Sequence, residues 1–134
     1  MSKIVVRLEF SSDDLDPERV TRQLGIPPTT RFTKGELVHN VKTNRSRAAQ
    51  TSRWMLELPA TSLGEIDKTV ANLFSGATND VSIWRGLAKQ YSGFLSVTLH
   101  AQLQPNDAFG ISPDTLAAVS GRGLTLDIDV WSAE

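Results

Sequence analysis

Ile4, Val6, Leu8 and Phe10 alternate with Lys3, Arg7 and Glu9, and Val5 is the one apolar residue on the polar side. This period of two predicts a half-buried strand. Trp54, Leu56 and Leu58 alternate in the same way with Arg53, Met55 and Glu57, until Pro59 closes the run. Leu95, Val97, Leu99 and Ala101 predict a third strand, and Leu124, Leu126, Ile128 and Val130 a closing one.

Between the strands the period lengthens to that of a helix. Val20 and Leu24 lie four apart in a short helix from Pro17, which Gly25 ends in a left-handed C′ position. Ser62 and Glu65 read as a capping box ahead of a buried face of Ile66, Val70, Leu73 and Phe74. Ile83, Trp84, Leu87, Ala88 and Tyr91 recur at helical spacing after a cap at Asp80. A last helix runs from Pro113 to about Ser120 and stops at Gly121.

One helix-start signal is used twice. Leu15-Asp16-Pro17-Glu18-Arg19-Val20 and Ile111-Ser112-Pro113-Asp114-Thr115-Leu116 each place an apolar residue before a capping side chain. Proline at the first helical position loses nothing, because its missing N–H would have had no partner. Leu15 with Val20, and Ile111 with Leu116, fit the hydrophobic staple.

The element order is β–α–β–α–(α)–β–α–β. Without the middle helical insertion it is βαββαβ. The expected fold is therefore α+β, a two-layer sandwich with a ferredoxin-like (split βαβ) sheet and an additional helical insertion between strands 2 and 3. That topology seats the first strand beside the last, antiparallel, and allows Arg7 to pair with Asp127 or Asp129.

Composition sets the bounds. The 134 residues suit one domain across 1–134, and 40% of them are apolar. The chain has no cysteine, so disulfides and thiolate metal sites are excluded. No signal peptide or membrane span is evident, which makes the cytoplasm the expected location and a membrane partner unexpected.

Residues 26–52 lack apolar periodicity and read as a long loop, with a short strand expected near Glu36-Leu37-Val38. From Gly25 to Arg53 six basic residues face a single acid, Glu36. The segment is formally +5, leaving −6 to the remainder of a chain whose total is −1. Lys34, Lys42, Arg45, Arg47 and Arg53 are the candidate binding residues, for an acidic protein surface or another anion. Nucleic acid is disfavoured, since the aromatic residues form no stacking series and no recognition motif appears.

The polar side of the sheet offers an alternative, a small-ligand enzyme or sensor. There Arg7 would hold an anion, His100 exchange a proton, and Asp127 or Asp129 orient it or bind a cation. No metal site or cofactor is assigned: the two histidines, His39 and His100, are far apart, and Gly121-Arg122-Gly123 precedes a strand, the wrong place for a phosphate loop. No catalytic motif is present. Trp131, near the chain end on the polar side, suggests a homodimer contact.

Several segments, taken in order, resemble one family. They are Asp13-Asp14-Leu15-Asp16-Pro17-Glu18, Leu24-Gly25-Ile26-Pro27-Pro28, Lys34-Gly35-Glu36, Ser52-Arg53-Trp54-Met55-Leu56, Ile111-Ser112-Pro113-Asp114-Thr115-Leu116 and Leu126-Asp127-Ile128-Asp129. The chain resembles a bacterial domain of unknown function, DUF4279, nearly end to end. Val130-Trp131 stands where the family pattern is aliphatic or tyrosine, and Phe32 where a tryptophan is frequent. The resemblance implies no substrate and no catalytic residue. The settings of some relatives suggest toxin-immunity systems, and so a noncatalytic, protein-binding or immunity-like role.

Overall fold

A computed structural model describes residues 3–100 and 105–131. The apolar face of β1 (Lys3–Ser12) runs through the centre of the molecule, with Val6, Leu8 and Phe10 fully buried. β1 is flanked on both sides by antiparallel strands, β5 (Ser52–Ala60) and β6 (Ser92–His100). A short edge strand β2 (Thr30–Phe32) pairs with β5, and β7 (Thr125–Trp131) runs parallel to β6. The five-stranded order is β2-β5-β1-β6-β7.

The α+β class holds, with helices inserted between the strands, but the ferredoxin-like strand order does not. The closing strand lies beside β6, two places from β1. Arg7 therefore pairs with neither aspartate: it stands opposite Glu57 on one side and Ser96 on the other. Parallel neighbours need a crossover, and α4 (Pro113–Gly121) lies within the segment joining β6 to β7. Ala101, expected on the third strand, lies outside the described residues.

The remaining helices are α1 (Pro17–Leu24), α2 (Ile66–Ser75) and α3 (Val81–Gln90). They cover the face of the sheet that carries Ile4, Val6, Leu8, Phe10, Trp54, Leu56, Leu95, Val97 and Leu99. Asp16 caps α1 by accepting the Glu18 N–H, and Gly25 ends it at φ 76°. Ser62 makes no side-chain cap; a single 3-10 turn at Leu63–Glu65 leads into α2 instead. Ser112 caps α4, but Leu116 is 47% exposed, so the second staple does not close over the core as Leu15 and Val20 do. Two buried indoles find partners: Trp54 Nε1 donates to Thr21 Oγ1 at 3.0 Å, and Trp84 Nε1 to the Thr78 carbonyl at 2.8 Å.

Residues 26–52 are not a loop. Beyond β2 they form a hairpin of β3 (Leu37–Asn40) and β4 (Arg45–Ala48), a two-stranded sheet of its own. At its tip the Asn40 carboxamide accepts the Lys42 and Thr43 N–H groups, and Asn44 takes φ 53°.

Candidate functional site

Cross-strand partners share a sheet face, so the pairings locate each candidate side chain. Phe32 stands opposite Arg53 at the edge of the main sheet. Val38 stands opposite Arg47 in the hairpin. These two pairs, each an apolar residue beside an arginine, line one cleft of about 290 Å³. Ala48, Ala49, Gln50 and Thr51 complete its lining. Arg45 lies two residues from Arg47 and therefore on the same hairpin face.

The cleft is held at its base. Lys34 donates its backbone N–H to the buried Ser52 hydroxyl at 2.9 Å, and its ammonium to Asp13 at 3.1 Å. That contact holds the Asp13 carboxyl below its ordinary range. Lys34 is thus a positioning group that ties the start of the hairpin to the β1–α1 turn. Lys42 is exposed at the hairpin tip, away from the cleft lining. Among the described residues, none of Lys42, Arg45, Arg47 or Arg53 forms a salt bridge. A guanidinium in that state presents its planar fork to an incoming carboxylate.

Of the five candidate cations, Arg47 and Arg53 meet in the cleft and Arg45 shares the hairpin face of Arg47. Phe32 and Val38, its apolar half, were missed by reading charge alone.

The sheet-face residues are dispersed. Arg7 is taken by Glu57, whose Oε1 accepts from both Nε at 3.1 Å and the terminal nitrogen at 3.0 Å. Glu9 lies 3.9 Å away on the same face. It is buried, and desolvation raises its carboxyl above the ordinary value although Arg53 and Arg7 oppose the rise. His100 sits four positions along β6 from the Ser96 that faces Arg7, a separation of about 13 Å. It stacks on Trp131, ring centroids 6.0 Å apart. Asp127 is two strands from Arg7, beyond Ser96, or about 10 Å. Among the described residues, no group of three or more histidine or acidic side chains is placed to hold a metal ion.

Fold and cleft together define a small α+β domain with helices on one sheet face and a cationic hairpin at one edge. The chain matches the model of the domain of unknown function DUF4279 over residues 2–133, and it belongs to that family. No curated protein and no solved structure matches it significantly. None of the described helices is long and apolar enough to cross a membrane.

Proposed function

We propose that this protein is a noncatalytic binding module of immunity-like type, whose hairpin cleft receives an acidic surface of another protein. The observation that carries this reading is the double apolar–arginine pair, Phe32 with Arg53 and Val38 with Arg47. An apolar wall beside a guanidinium suits an acidic segment with one apolar anchor. The anchor displaces water from Phe32 and Val38 while the arginines take carboxylates. A free anion would use the charges and leave the apolar walls unused.

The test is a cross-linking pull-down with the wild-type chain and with Lys42→Glu, Arg45→Glu, Arg47→Glu combined. Any captured protein is then titrated in purified form against both chains. The reading expects capture and titration to be lost in the variant, whose fold is retained. Equal binding by both chains overturns the site assignment.

A further inference from the structure

The edge of the sheet opposite the hairpin has a second, contrary chemistry. β7 ends the strand order, and among the described residues only β6 pairs with it. Three large apolar side chains stand exposed on this one strand: Ile128 at 46%, Val130 at 57% and Trp131 at 61%. Asp127 and Asp129 alternate with Ile128 and Val130 and share the face of Trp131, and neither has a salt-bridge partner among the described residues. Proteins ordinarily protect an edge with charged side chains, proline, a bulge or a cover, because its unpaired N–H and C=O groups are a template for another strand; the charges on β7 are both acidic.

We propose that the free edge of β7 is a docking strand for an extended segment of a partner protein in which basic and apolar residues alternate. A strand added to β7 places every second side chain on the face of Asp127 and Asp129, and the others on the face of Leu126, Ile128 and Val130. Cross-strand pairing favours lysine or arginine opposite the aspartates and aliphatic residues opposite the exposed aliphatics. Main-chain hydrogen bonds supply affinity, and the alternation supplies register.

A second copy of β7 is the poorer occupant. An antiparallel two-fold centred on Ile128 sets Asp127 opposite Asp129 of the other copy, and one centred on Asp129 sets that carboxylate against itself. Like charges directly opposite are destabilising. In those two registers the aspartates disfavour self-pairing, whereas a basic strand gives them partners. This edge is four strand spacings from β2, about 19 Å across the sheet, so it is independent of the cationic cleft.

The test uses a synthetic peptide of alternating lysine and valine, about as long as β7, titrated at low salt. Trp54 and Trp84 are fully buried, so a change in emission on binding reports Trp131. Expected results are saturable binding, about tenfold or greater weakening by Asp127→Lys with Asp129→Lys, and a gain of binding to the glutamate–valine peptide in that variant. The hairpin variant Lys42→Glu, Arg45→Glu, Arg47→Glu retains full binding. No binding at millimolar peptide overturns the proposal. So does equal affinity for a peptide with its lysines in one block, or equal affinity in wild type and the aspartate variant. Light scattering that shows a dimer broken by Ile128→Lys also overturns it, by assigning the edge to a second copy.

Discussion

The Asp67 carboxylate, on α2, accepts the backbone N–H of Ser112 at 3.0 Å, and Ser112 in turn accepts the Thr115 N–H at 3.2 Å to cap α4. One helix thereby fixes the first turn of another, 45 residues away in sequence. The Ser112 N–H is the main cause that holds the Asp67 carboxyl below its ordinary value, with the Thr115 hydroxyl next.

Asp67→Ala should destabilise the fold by about 1 kcal/mol at neutral pH, the worth of a charge-assisted hydrogen bond discounted for a site open to water. The sign with pH follows from linkage. A carboxyl depressed in the folded state contributes fully above its unfolded pKa and loses that contribution as pH falls through the folded value. The difference between wild type and Asp67→Ala, followed by urea unfolding, should therefore be constant near neutrality and shrink in acid below the ordinary aspartate range.

Thr21 accepts the indole N–H of Trp54 and donates to the Pro17 carbonyl at 3.2 Å. Thr21→Val keeps the shape but leaves the indole donor of a fully buried tryptophan without a partner. The expected loss is about 1–3 kcal/mol. Urea unfolding should show a lower midpoint with an unchanged slope, because the surface exposed on unfolding is the same.

How far the fold was legible follows from where each signal originates. The Asp16 and Ser112 caps, the Asp80 cap of α3 and the left-handed Gly25 are local, and the sequence pattern located all four. Ser62 failed as a cap because the chain enters α2 through a 3-10 turn instead. The last helix ends at Gly121, as the pattern predicts, and the left-handed residue follows two positions later at Gly123, φ 77°. Strand adjacency is a tertiary choice, and nothing in the alternation of Leu124 to Val130 says whether β1 or β6 is the neighbour. The strand expected near Glu36-Leu37-Val38 is β3, but its partner β4 escaped notice because the hairpin packs no apolar face into the core: Leu37 is 74% exposed. Of the candidate cations, Arg47 and Arg53 were found by charge, but the apolar partners that shape the cleft lie in strands with no burial signal.

Gly93 lies opposite Phe10 on the buried face of β6. A methyl group there would sit 2.8 Å from the Phe10 ring and 3.1 Å from the Leu124 side chain. Phe10 is fully buried and touches Trp54 and Trp84, with ring centroids at 6.2 and 6.5 Å, so it has little room to retreat. Gly93→Ala should cost about 1–3 kcal/mol by overpacking, read as a lower Tm. Phe10→Leu in the same chain should recover part of the loss by opening that space. Equal stability of Gly93→Ala and wild type would show that the ring moves freely.

Glu9 presents the opposite pH case to Asp67. Desolvation is the largest influence on its carboxyl and raises it, against the pull of Arg53 and Arg7 and with a smaller push from Glu57. A carboxyl raised in the folded state binds its proton more readily there than in the unfolded chain. Its charge therefore opposes folding once the pH exceeds both values, and that opposition fades as the pH falls through the folded value and is gone below the unfolded one. Glu9→Gln, which keeps the size and removes the charge, should make the protein more stable than wild type at pH 7. The advantage should shrink as the solution is acidified through the glutamate range. Thermal unfolding of both chains between pH 7 and pH 4 measures the difference. A variant less stable than wild type at pH 7 would show that the attraction of Arg7 and Arg53 for the carboxylate outweighs its burial.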